Sequence, residues 1–181
     1  DCQNRNTTIC ENRTYYKGYN HVTDVNDTWW MQTANNVGLN VLVNNSYSGD
    51  KVIDKAQTRC QQLHNDTRIN KISPDIIVVY MGINDFIKKV SLEEFTNSYK
   101  KMVETIKNTY PNADIFLLNL LPNKTTLRSL GELEMFNSSI YRISKEYNAV
   151  LVDINHESGI SLNTCETHMA DIKCLHPSKE G

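Results

Sequence analysis

The segment Asp75-Ile-Ile-Val-Val-Tyr-Met81 constrains the fold more than any other part of the chain. It is a continuous β-branched and apolar run, entered through Ser73-Pro74 and left through Gly82. A strand this apolar is expected to be buried on both faces, as parallel strands covered by helices are. The segments after it alternate in the way such a sheet requires. Ser91 and Glu94 form a capping-box pattern, and Leu92, Phe95, Tyr99, Met102, Val103, Ile106 and Tyr110 recur at helical spacing until Pro111 ends the helix. Ile115 to Leu121 reads as a second buried strand. Leu133, Phe136, Ile140, Ile143 and Tyr147 mark another amphipathic helix, and Ala149 to Ile154 a further strand.

Upstream, Asp27 to Gly38 reads as a short helix that Asn26 or Asp27 can cap and Gly38 can end. Leu39 to Val43 reads as a short strand, residues 51–64 as a loosely periodic helix, and residues 155–181 as loop. The alternation predicts a three-layer α/β/α fold, a parallel sheet with helices on both faces. No repeat or linker divides the sequence, so residues 1–181 read as one domain whose segment 1–26 is polar and irregular.

Composition narrows the function. The net charge of −2 comes with no basic stripe, which argues against a nucleic-acid surface. No run of eighteen or more apolar residues predicts a membrane span. No signal peptide is visible, and a start at Asp1 rather than Met is compatible with one having been removed. Asn-x-Ser/Thr sequons at Asn6, Asn12, Asn26, Asn44, Asn65, Asn123 and Asn137 give a slight lean to secretion. Of the five cysteines, Cys2 with Cys10 and Cys165 with Cys174 are close enough in sequence to pair in an oxidising compartment, which spacing alone does not establish. No phosphate-binding or dinucleotide fingerprint is present, so no cofactor is expected.

In parallel sheets ligands bind beyond the carboxyl ends of the strands. Three polar segments belong there. Asn44-Asn-Ser-Tyr-Ser-Gly49-Asp50 offers a glycine whose backbone N–H can approach a substrate oxygen, or it is a polar turn. Tyr80-Met-Gly-Ile-Asn-Asp-Phe86 places the amide of Asn84 at a strand end, where it can hold an oxyanion, or Asn84 and Asp85 cap the next turn. Cys174-Leu-His-Pro-Ser-Lys-Glu-Gly181 carries His176, a candidate general base or a solvated loop side chain. His21, His64, His156 and His168 have no comparable setting.

Taken in order, the three segments resemble the SGNH hydrolases, the GDSL esterase/lipase family, over roughly residues 27–181. The Gly49 segment looks like that family's glycine block, Gly82-Ile-Asn84-Asp85 like its Gly-x-Asn-Asp block, and His176-Pro177 like its histidine block. The resemblance implies a flavodoxin-like α/β/α scaffold and a hydrolase of O-acyl esters, acting on a small ester or acylated carbohydrate. Gly49 and Asn84 would line the oxyanion hole and His176 would activate the nucleophile.

Two departures bear on this. The family's Gly-Asp-Ser nucleophile motif is absent, as is the strand before it, and the last helix would begin where the chain stops. The serine is then expected at or just before residue 1, with Cys2 as a less favoured stand-in. The family's triad acid, three residues before the histidine, corresponds to Lys173, and Asp171 could replace it only along a different loop path. A zinc site from Cys165, His168, Cys174 and His176 lacks the usual spacing, so no metal is expected. The alternatives are a catalytically inactive member binding a carbohydrate or acyl ligand, and an unrelated flavodoxin-like interaction module.

Overall fold

The computed structural model describes residues 22, 24–125, 127–169 and 171–181. Cys2, Cys10, His21 and the sequons at Asn6 and Asn12 lie outside the described residues. The chain divides into two compact units. One contains the described residues of 1–48 with 123–125 and Ile160–Gly181; the other contains Gly49–Pro122 and the described residues of 126–159.

The second unit carries the sheet. Strands β1 (Ile76–Val79), β2 (Asp114–Leu118) and β3 (Val150–Val152) pair in that order, both pairs parallel. Helices α2 (Val52–Asn70), α3 (Ile83–Ile87), α4 (Leu92–Thr109), α5 (Leu130–Glu146) and α6 (Ile154–Glu157) alternate with them. A parallel sheet flanked by helices is the α/β class expected.

The core forms because the apolar positions of each helix recur on one face. Phe95, Tyr99 and Val103 of α4 and Ile140 of α5 are fully buried. They join Val52 and Ala56 of α2 over Ile77, Val79, Ile115 and Leu117 of the sheet. Fully burying a large apolar side chain contributes roughly 1.5–3 kcal/mol. Ser91 Oγ accepts Glu94 N–H at the start of α4, as expected, at 3.2 Å. A complete capping box starts α5: Ser129 Oγ accepts Glu132 N–H, and the Glu132 carboxylate accepts Ser129 N–H.

Three expectations are corrected. The β1 run is buried on one face only: Val78 pairs in register with Phe116, which pairs with Val150, and Val78 and Val150 are about half exposed, at 51% and 48%. Strict alternation of side chains places this row opposite Ile77 and Val79, so an unbroken apolar run did not imply two packed faces. Residues 39–43 are not a strand, and Leu39 and Leu42 are exposed. So short an apolar run does not by itself separate strand from irregular chain. Residues 155–181 are more ordered than a loop: α6 begins at Ile154, α7 covers Cys165–His168, and Met169 bridges Pro177.

In the first unit, α1 (Trp29–Val37) ends as expected at Gly38, with φ +71° and Leu39 N–H donating to Ala34 O at 2.8 Å. Its start differs. Thr28 occupies the N-cap position without a side-chain cap, and Asp24 caps a preceding 3-10 turn, Val25–Asp27. The carboxylate of Asp27 is used elsewhere, pairing with Lys179 at 2.9 Å. Among the described residues no helix is long and apolar enough to cross a membrane.

Candidate functional site

The carboxyl end of β1 leads directly into the Asn84 segment. Gly82 adopts φ +126°, and a Cβ there would meet Phe95 Cε2 at 2.8 Å, so the position requires glycine for both conformation and space. That turn starts α3 with Asn84 half-buried and Asp85 fully buried.

Asn84 reaches back to the Gly49 turn and Asp85 to the start of α2, rather than capping their own helix. Asn84 Nδ2 donates to Asp50 O at 2.9 Å. Asp85 Oδ2 accepts Val52 N–H at 2.7 Å, and Oδ1 accepts Ile53 N–H at 3.2 Å. The first turn of α2 thus has orphan donors satisfied by a residue on another helix. Burial pushes the Asp85 carboxyl above the usual carboxylate range, against the pull of those amides and of Lys51. Gly49 itself has φ +81° with nothing within 4 Å of an added Cβ. Its glycine therefore serves backbone conformation, not close packing.

Asp50 is held on its other side. Its Oδ2 accepts Arg59 Nε at 2.5 Å, with both side chains largely covered, and the Arg59 guanidinium also donates to Gln62 Oε1. The structure therefore joins Gly49-Asp50 to Asn84-Asp85 within one unit.

His176 belongs to the other unit. Asp171 organises its loop: Oδ1 accepts Lys173 N–H at 2.9 Å, and Oδ2 accepts the backbone N–H of His176 at 3.0 Å. Burial lowers the His176 pKa below its ordinary value, and the Asp171 charge opposes this. Lys173, at the position that corresponds to the family's acid, contributes its backbone instead: its O accepts Lys124 N–H. Cys165 and Cys174 form a disulfide that ties the loop to α7, so those two sulfurs are not available as thiolate ligands. Among the described residues no group of three His, Cys, Asp or Glu side chains is arranged to hold a metal ion. The sequon at Asn137 is a packing element: its amide is buried and exchanges both hydrogen bonds with the backbone of Leu120.

A second histidine arrangement has no counterpart among the sequence expectations. His156 Nδ1 lies 2.9 Å from each oxygen of Asp153, which also accepts Asn119 Nδ2 at 2.6 Å. Glu134 stands 3.6 Å from the other ring nitrogen. Hydrogen bonding to Asp153 raises the His156 pKa. Burial raises that of Asp153, but the bonds from Asn119 and His156 outweigh it and hold the carboxyl below its usual value. The signal was the Asp-x-x-His spacing at the end of a strand. Because Asp153 also caps α6 by accepting His156 N–H, the pair reads as a structural clasp at a strand end.

Several solved structures share the fold. The psychrotrophic esterase EstA from Pseudoalteromonas sp., solved inhibited by monoethylphosphonate, matches at 20% identity with a TM-score of 0.62, over 86% of this chain and 79% of that one. TesA matches at 16% identity and a TM-score of 0.63, over 86% and 81%. A carbohydrate esterase family 3 protein from Talaromyces cellulolyticus matches at 17% and 0.55, over 74% and 61%. No curated protein sequence matches. These likenesses define an α/β/α scaffold of the kind esterases use. The sequence model of the GDSL-like lipase/acylhydrolase family matches residues 14–181, and the chain belongs to that family, one of ester hydrolases.

Proposed function

We propose that this protein cleaves an O-acyl ester by transferring the acyl group to a nucleophile and then to water. The observation that carries the proposal is the bond between Asn84 Nδ2 and Asp50 O. An amide nitrogen has two N–H donors, so fixing one on Asp50 leaves the other for an oxyanion. The Gly49 N–H is the second donor. His176 takes the proton of the attacking nucleophile and returns it to the departing alcohol. Burial favours its neutral form, the form a base needs. Asp171 supplies the negative charge that steadies the imidazolium.

The substrate class is a small ester or an acylated carbohydrate. An inactive, ligand-binding member is the second reading. It is favoured by Lys173 at the acid position. Treating the full-length protein with a fluorophosphonate probe separates the two. An active hydrolase forms a covalent adduct whose position identifies the nucleophile, and changing His176 to Ala abolishes both labelling and hydrolysis of p-nitrophenyl acetate. Reversible acyl-sugar binding with no adduct would favour the binder.

A further inference from the structure

We propose that Arg59 is a positioning residue for the oxyanion-binding turn, acting on Asn84 through Asp50. The inference rests on the assignment of Asn84 as an oxyanion donor and adds the device that aims it.

The linkage runs through consecutive contacts. Arg59 Nε donates to Asp50 Oδ2 at 2.5 Å, and the backbone O of the same Asp50 accepts Asn84 Nδ2 at 2.9 Å. One residue therefore carries both the ion pair and the acceptor for the amide. The Asp50 and Arg59 side chains are only 14% and 15% exposed, so the carboxylate has little water to turn to if its partner is lost. A covered charge left unpaired is strongly disfavoured, and the turn would have to open to hydrate it. Opening the turn withdraws the Asp50 carbonyl from Asn84.

The guanidinium is suited to this in a way an ammonium is not. It spans Asp50 and Gln62 at once, and its planar fork fixes their relative placement. Asp85 anchors the neighbouring Val52 and Ile53 amides. That holds the start of α2 but leaves Asp50 to Arg59. The other nearby pair, Lys51 with Asp54, is a solvent-screened contact at 3.0 Å that reaches neither Asp50 nor Asn84.

The test uses the full-length, isotopically labelled protein. The side-chain amide signals of Asn84 are identified by their loss in Asn84→Asp. In the unmodified protein one of the two amide protons is expected to exchange slowly and to lie downfield of exposed asparagines. In Arg59→Gln the pair should move to the position of an exposed amide, and in Arg59→Lys only part of the way. On p-nitrophenyl acetate, Arg59→Gln should lower kcat by about ten- to a hundredfold with KM held, short of the cost of losing a donor outright. If Arg59→Gln does not fold, Asp50→Asn breaks the same ion pair from its other side while keeping the carbonyl, and its Asn84 signals should shift likewise. An unprotected Asn84 amide in the unmodified protein, or one unchanged by these substitutions, overturns the proposal. Absence of any ester hydrolysis by the unmodified protein would instead count against the hydrolase reading, with the amide signals still deciding whether Arg59 positions Asn84.

Discussion

The fully buried carboxylate of Asp85 accepts the backbone N–H of Val52 at 2.7 Å, thirty-three residues away in sequence. It fastens the first turn of α2 to the end of β1, and Asn84 beside it fastens the preceding turn. Replacing Asp85 with Ala strands two amide donors and opens a buried gap. The expected loss is about 3 kcal/mol of folding stability, read from urea denaturation, because bonds to a charged acceptor contribute about 1.5–3 kcal/mol and orphaned donors add a penalty.

The two glycines of the site should respond very differently to alanine. At Gly82 the added methyl meets the Phe95 ring at 2.8 Å and the backbone sits at φ +126°. Gly82→Ala should therefore cost roughly 3 kcal/mol or more, combining strain with overpacking. At Gly49 there is no neighbour within 4 Å and only φ +81° to support. Gly49→Ala should cost about 1–2 kcal/mol. Thermal denaturation of the two variants side by side checks the order, and equal losses would contradict it.

The clasp between His156 and Asp153 should be visible as a pH dependence. The folded His156 pKa is raised above the ordinary 6.5, with the Asp153 hydrogen bond the chief cause. The stability it contributes is then fully present below pH 6.5 and lost as pH rises through the folded value. The lowered Asp153 pKa works in the opposite sense: its contribution is present above 3.8 and lost as pH falls through the folded value. The difference in Tm between the unmodified protein and His156→Ala, followed from about pH 5 to about pH 9, should shrink with rising pH. Ester hydrolysis by His156→Ala should persist.

The sequence was most informative where periodicity met burial. The helical faces of α4 and α5 were readable because Phe95, Tyr99, Ile140 and their neighbours repeat at helical spacing and face one core. The same was true of the parallel strands after residue 75. Legibility failed where a property depended on pairing across distance. The exposure of Val78 follows from its register with Phe116 and Val150, which no local pattern contains. Asp85 has the local pattern of a cap, whereas its partners lie on α2. Asp50 and Arg59 stand nine positions apart, and no local pattern in the sequence marks them as a pair. The Cys165–Cys174 pair was one of the pairings that spacing left open, and only the path from α7 to the His176 loop selects it. Asp153-x-x-His156 carries the acid-to-histidine spacing that Lys173 breaks, but the cap that Asp153 gives α6 by accepting His156 N–H marks it as a clasp.

The most direct measurement is the kinetics of Asn84→Ala on p-nitrophenyl acetate. Loss of this donor should lower kcat by about 10²–10³-fold while KM changes little, because the interaction is made chiefly with the developing oxyanion. An Asn84→Ala protein that turns the ester over as fast as the unmodified one would contradict the account.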